Sequence, residues 1–265
     1  MKVVIFCGGQ GMRLREESQN TPKPLARIGQ RPVIWHLMSY YAHFGHRDFV
    51  LCLGYRSEEI KRYFLEYQET LSNDFVLSEG GRRVALLGSD IDQWTITFVD
   101  TGLHTSIGER LAIVRPHLEG EEVFLANYAD GLSDLPLDRY VAEALERRRI
   151  ASFVSVIPNG SFHFVESDAA GNVLGLRDVH TANLRINGGY FVFRQEIFDH
   201  LRPGEDLVDG VFPRLIAEQQ LFAYPYDGFW HCLDTFKDRQ SLEDLEARGD
   251  APWRMRRARR SRSAA

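Results

Sequence analysis

The sequence predicts an α/β fold, a mainly parallel sheet with helices on both faces, and three observations carry that expectation. Short apolar runs alternate along the chain with stripes of helical period, the pattern of strands buried under covering helices. The first apolar run, 3–6, opens directly into Cys7-Gly8-Gly9-Gln10-Gly11-Met12-Arg13-Leu14, so three glycines stand where a strand's carboxyl end becomes a loop. A chain of 265 residues with 44% hydrophobic and 26% charged content is ample for one such domain.

Each element has its own signal. Residues 32–44 are apolar at Val33, Ile34, Leu37, Met38, Tyr41 and Phe44, a helical stripe opened by Pro32 and closed by Gly45. A strand is expected at 48–53, then a helix over 57–67 capped by Ser57. The stretch 68–93 is polar and contains glycine, with short strands near 75–77 and 84–87; it reads as an excursion from the sheet and a candidate oligomer contact. Strand 95–99, helix 109–114 and strand 123–128 follow, the last ending in Ala129-Asp130-Gly131. Beyond it come helix 136–148 with Asp134 as its cap, strand 151–157 and a hairpin turning at 168–172. Strand 189–193, helices near 195–201 and 207–219, strand 221–226 and a helix over 235–247 complete a single domain, 1–253.

The net charge of −5 conceals an asymmetry. Residues 254–265 hold six arginines and no acid, which leaves 26 basic against 37 acidic residues in the remainder. The tail has no interleaved aromatic side chains for base stacking, and an acidic body repels nucleic acid, so a solvated, disordered extension is expected. No apolar run approaches the roughly 20 residues of a membrane helix, and no leader pattern opens the chain. The three cysteines form no C-x-x-C, and Cys7 and Cys52 fall at or in strands as small buried thiols; the expected compartment is the cytoplasm.

The loop after the first strand carries the chemistry. Glycines let backbone N–H groups approach a ligand closely, which suits phosphate oxygens. Arg13 adds a planar bidentate donor, and Lys23 in Thr21-Pro22-Lys23-Pro24-Leu25 adds a point charge. Such equipment serves phosphoryl or nucleotidyl transfer. There is no G-x-x-x-x-G-K-[ST], and Leu14 holds the place of the third glycine of G-x-G-x-x-G, so neither common phosphate-loop signature applies. Asp130 ends a strand at the sheet edge where ligands bind, and Asp234 directly precedes a helix whose cap either it or Thr235 could supply. Two carboxylates gathered from such distant positions repel unless a hard cation lies between them. Thr105 and Arg110 lie at a helix start able to read a base edge or ribose. His36, on an apolar helix, reads as a core histidine, and no Cys/His spacing suggests zinc.

Gly8-Gly9-x-Gly11-x-Arg13 with Pro22-Lys23-Pro24 resembles the signature of the sugar-1-phosphate nucleotidyltransferases. So do Ile28-Gly29-x-x-Pro32-x-x-Trp35-His36-x-Met38, Val99-Asp100-Thr101-Gly102, Tyr128-Ala129-Asp130-Gly131-x-Ser133-Asp134 and Ile186-Asn187-Gly188-Gly189. With Phe229-Trp230-x-x-Leu233-Asp234-Thr235 and Ala251-Pro252-Trp253, the set is most similar to the glucose-1-phosphate cytidylyltransferase branch, over residues 1 to 253. The resemblance implies a Rossmann-like fold and an Mg²⁺-dependent enzyme that joins CTP and a sugar 1-phosphate into a CDP-sugar and pyrophosphate, with no nucleic-acid or membrane partner and a homo-oligomeric state. It also implies site roles. Arg13 would stabilise the β- and γ-phosphates and Lys23 the α-phosphate, with Asp130 and Asp234 as metal ligands. The nucleotide would lie against Phe6, Cys7, Gly8, Gly9, Gln10, Gly11, Met12, Arg13, Lys23, Thr105, Arg110 and Asp130.

The pattern departs from the family on the acceptor side. Relatives carry Glu-Lys-Pro before Asn-Gly-Gly, and the lysine there holds the sugar phosphate. Here the stretch is Arg177-Asp178-Val179, so an aspartate replaces the lysine; Arg177 or Arg185 could take over, but the motif places neither. The family's Arg-Phe-Gly is Ser161-Phe162-His163. The alternatives are therefore a cytidylyltransferase for another phosphate, such as a modified sugar or cyclitol, and a non-catalytic nucleotide-binding relative.

Overall fold

Val3–Phe6 forms β1 inside a seven-stranded sheet, with every side chain buried. The other strands are β2 (Asp48–Leu53), β3 (Thr95–Asp100), β4 (Val123–Tyr128), β5 (Ala151–Val156), β6 (Ile186–Arg194) and β7 (Leu221–Tyr226). Their order across the sheet is β7-β5-β6-β4-β1-β2-β3. β6 runs antiparallel to both neighbours, β4 and β5; the other strand pairs are parallel. The computed structural model describes residues 1–9, 21–159, 163–178 and 184–255.

Alternation along the central strands feeds two cores. Val3, Ile5, Phe49, Leu51 and Leu125 face one side. There they meet α1 (Val33–His43), α2 (Ser57–Leu65), α4 (Leu137–Arg147) and α6 (Phe236–Arg248) through Leu37, Ile60, Tyr140 and Leu242. Val4, Phe6, Val50 and Phe124 face the other, against Leu111 of α3 (Ile107–Val114) and Leu215 of α5 (Phe212–Ala217). No helix among the described residues is long and apolar enough to cross a membrane.

The strand order creates the crevice. From β1 the chain runs outward through β2 and β3, then returns to β1's other side as β4. Loops leaving the carboxyl ends of β1 and β4 therefore diverge, the position at which open α/β sheets bind ligands.

Four short ladders among the described residues sit off the sheet: Arg27–Ile28 with Arg31–Pro32, Gly131–Ser133 with Trp230–Cys232, Phe75–Ser78 with Arg83–Leu86, and His163–Ser167 with Val173–Asp178. The last pair confirms the expected hairpin, and Asp168 closes its turn by accepting from the Ala170 and Asn172 N–H groups at 2.9 Å. The 75–86 hairpin confirms the expected excursion, with Val76, Leu77, Val84 and Leu87 exposed. Its root is tied down by the buried Arg31, which donates to Ser72 and the Gln68 carbonyl and lies 4.1 Å over the Tyr67 ring.

Three local expectations need correction. Arg56, in the left-handed region at φ 52°, occupies the cap of α2, and Ser57 is already its first helical residue. Pro136 precedes α4, while the Asp134 carboxylate is taken by the Tyr226 hydroxyl and the Phe229 N–H. The helix expected at 207–219 divides into a π-turn, Leu207–Val211, and α5, because Pro213 has no N–H to continue an unbroken α-ladder. At the other end Trp253 is buried, Arg254 pairs with Glu246, and Met255 packs on the core; 256–265 lie outside the described residues.

Candidate active site

Asp130 lies two residues past the end of β4, and its position is set by the backbone. Gly131 pairs with Cys232 in the short ladder, and the Leu233 N–H donates to the Asp130 carbonyl at 2.9 Å. This carries Asp234 to Asp130. Trp230 anchors the incoming strand by donating from Nε1 to the Gly188 carbonyl at 2.8 Å, and a Cβ on Gly188 would stand 3.3 Å from that nitrogen. The Asn-Gly-Gly motif thus admits the tryptophan that places the second carboxylate. Thr235 caps α6 through a capping box with Asp238, leaving the Asp234 side chain to point elsewhere.

It points at Lys23. Nζ donates to Asp234 Oδ1 at 2.7 Å and to Asp130 Oδ2. Lys23 lies in a 3-10 turn, Lys23–Leu25, between Pro22 and Pro24, so its backbone is held while its side chain reaches across the crevice. Burial lowers the pKa of an ammonium, but here the Asp130 charge and hydrogen bonds to both carboxylates outweigh it and raise Lys23 above the ordinary lysine value. Cys232 adjoins the group: its Sγ and one oxygen from each aspartate lie within 4.8 Å of one another. Burial and the nearby Asp130 charge push the thiol up, so at neutral pH it is protonated. Two carboxylates that already enclose a cation are a suitable oxygen donor set for a hard divalent ion; a protonated thiol adds little to it.

The loop after β1 is held from below. Cys7 donates its N–H to the Cys52 carbonyl at 2.9 Å, and its buried Sγ turns toward the Ile5 carbonyl, so Cys7 offers a ligand no side-chain contact; Phe6 likewise points into the core. Arg110, expected to face a nucleotide, is 2% exposed and bound elsewhere. It donates to Thr101 Oγ1 at 2.6 Å and to the Leu53 and Gly8 carbonyls at 3.2 Å each. Its influence on the crevice therefore passes through Gly8. Thr105 donates to the Thr101 carbonyl at 2.5 Å. Gly9 is exposed at the mouth of the loop, while Gln10, Gly11, Met12 and Arg13 lie outside the described residues. His36 is the expected core histidine, with Nε2 on the Ile28 carbonyl at 3.0 Å and Nδ1 accepting from Trp253 Nε1 at 3.3 Å.

The two arginines expected to serve the acceptor are paired with other groups. Arg177 pairs with Glu166, and Arg185 with Asp227 and the Ser155 and Tyr226 carbonyls. Asp178 faces His163 across its hairpin at 3.9 Å.

Known proteins resemble this chain along most of its length. The family described as Nucleotidyl transferase matches residues 2–238. A glucose-1-phosphate cytidylyltransferase from Salmonella typhi is 33% identical over 256 residues, covering 96% of this chain and 99% of its own. Among solved structures, HddC from Yersinia pseudotuberculosis superposes with a TM-score of 0.67 at 17% identity, covering 92% of this chain and 99% of its own. A UDP-glucose pyrophosphorylase complexed with UDP-glucose gives 0.67 at 14%, covering 94% and 98%.

Proposed function

This chain belongs to the nucleotidyl transferase family, and from that premise we propose that it joins CTP to a sugar 1-phosphate, giving a CDP-sugar and pyrophosphate. The observation that carries the reading is the convergence of Lys23, Asp130 and Asp234 at the crevice beside Gly8 and Gly9. A phosphate oxygen of the acceptor attacks the α-phosphorus of CTP, and pyrophosphate leaves with the bond to that phosphorus. No covalent protein intermediate is needed; the chain contributes position and charge. Lys23 stabilises the α-phosphate, and Arg13 the departing phosphates. The N–H groups of the glycine loop, held by Arg110 beneath Gly8, receive phosphate oxygens. Thr105 stands at the start of α3, on the side assigned to the cytidine. Asp130 and Asp234 would hold Mg²⁺, which neutralises triphosphate charge when bound.

Pyrophosphate release, measured across nucleoside triphosphates and a panel of sugar phosphates, tests this. CTP with one acceptor should stand out, and both chelator and Asp130→Asn should cut the rate on the order of a hundredfold or more without loss of fold. Full turnover in chelator would refute the metal role. A second reading of the acceptor, a phosphate other than glucose 1-phosphate, is favoured by Asp178 and by the engagement of Arg177 and Arg185. The exposed apolar 75–86 hairpin is the surface we assign to contact with a second copy. Leu77→Glu with Val84→Glu should then lower the mass seen by sedimentation.

A further inference from the structure

Lys23 does more in this structure than wait for a phosphate. Its ammonium sits between Asp130 and Asp234, bonded to one oxygen of each. Both carboxylates are placed by backbone: Asp130 by the end of β4 and the bond from Leu233, Asp234 by the ladder to Gly131 and the cap of α6. These backbone contacts bring the two residues to one place, and like charges at such range repel. The same turn that fixes the Lys23 backbone between two prolines leaves a flexible four-carbon arm able to swing. An ion ligated at about 2.1 Å by these oxygens could not share the space with an ammonium.

We propose that Lys23 is the resident countercation of this site: it holds Asp130 and Asp234 together until a divalent cation takes its place, and that exchange releases it toward the nucleotide phosphates. The inference rests on the metal role proposed for the two aspartates. Linkage makes the effect reciprocal: whatever draws the ammonium away, a nucleotide phosphate included, strengthens metal binding by the same factor. Metal and nucleotide loading are thereby coupled through one side chain.

The test is Mn²⁺ binding by calorimetry to nucleotide-free protein, wild type beside Lys23→Gln and Lys23→Arg, with melting temperatures taken in parallel. Lys23→Gln should bind Mn²⁺ on the order of tenfold more tightly than wild type, and the gap should persist at high salt, where contact exclusion survives and long-range charge effects fade. Without metal that variant should melt below wild type, its carboxylates being unneutralised, and Mn²⁺ should restore it. Lys23→Arg keeps a cation between the carboxylates and should bind Mn²⁺ as weakly as wild type. Equal Mn²⁺ affinity in wild type and Lys23→Gln, or a gap that disappears at high salt, would overturn the proposal. Failure of every form to bind Mn²⁺, with or without CTP, would overturn the metal reading beneath it.

Discussion

At Gly8 a side chain would begin 1.9 Å from the Arg110 guanidinium, whose own position is fixed by the Thr101 hydroxyl and the Leu53 carbonyl. Neither partner has room to yield, since Arg110 is buried and donates to the Gly8 carbonyl itself. Gly8→Ala should therefore cost roughly 1–3 kcal/mol in urea unfolding, as overpacked sites do. It should also weaken CTP binding by calorimetry, because Gly8, whose loop is proposed to offer N–H groups to phosphate, must shift. His36 gives a prediction in pH. Burial lowers its pKa from 6.5 to about 4, so the folded protein holds the ring neutral, with Nδ1 accepting from Trp253. The stability this contributes is fully present above pH 6.5 and is lost as pH falls toward 4. In His36→Gln the decline across that window should be shallower by about one proton's worth, measured by urea unfolding at a series of pH values. Some slope should remain, because burial also lowers His46 to about 4.

At the scale of elements, the site depends on a ladder of three residues a side, Gly131–Ser133 with Trp230–Cys232, and on the tryptophan that anchors it. Trp230→Phe keeps the ring but loses the bond from Nε1 to the Gly188 carbonyl. That should cost about 1 kcal/mol of stability. The larger effect should be on kcat, because the strand that places Asp234 loses its register; an unchanged kcat would show that the ladder holds without the indole. This element was also the least legible in the sequence. The five inner sheet strands announce themselves as apolar runs, since a strand buried on both faces needs them, while the edge strands β3 and β7 are only partly buried. Three-residue strands far apart in the chain carry no period to read, and the antiparallel direction of β6 leaves no mark on composition. The same limit applied to Arg110. Its place at a helix start was readable, but the reach of a long side chain back under Gly8 is set only by tertiary packing. Asp130, Asp234 and Lys23 were each legible from their motifs, whereas the ammonium lying between the two carboxylates depends on distances no spacing encodes.

Across the whole molecule, the two sides of the sheet differ in how closely they follow the family pattern. Around β1 and β4, Gly8, Gly9, Lys23 and both aspartates gather at one crevice. Toward β5 and β6, where the 163–178 hairpin projects, Asp178 stands where the family resemblance implies a lysine for the sugar phosphate, and the neighbouring cations are paired. Arg177 is paired with Glu166 and Arg185 with Asp227. Replacing a lysine by an aspartate exchanges attraction for repulsion at the acceptor phosphate, and each 1.4 kcal/mol so lost is about tenfold in affinity. CTP should therefore bind with ordinary calorimetric affinity while glucose 1-phosphate turns over weakly, the deficit lying in kcat/KM for the sugar phosphate and not for CTP. Asp178→Lys should raise kcat/KM for glucose 1-phosphate, because the half-buried Asp178 ends a hairpin strand off the main sheet, outside both hydrophobic cores. Efficient CDP-glucose synthesis by the unaltered chain, or no gain from Asp178→Lys, would mean that the acceptor phosphate is gripped by other groups and that the difference at Asp178 is neutral.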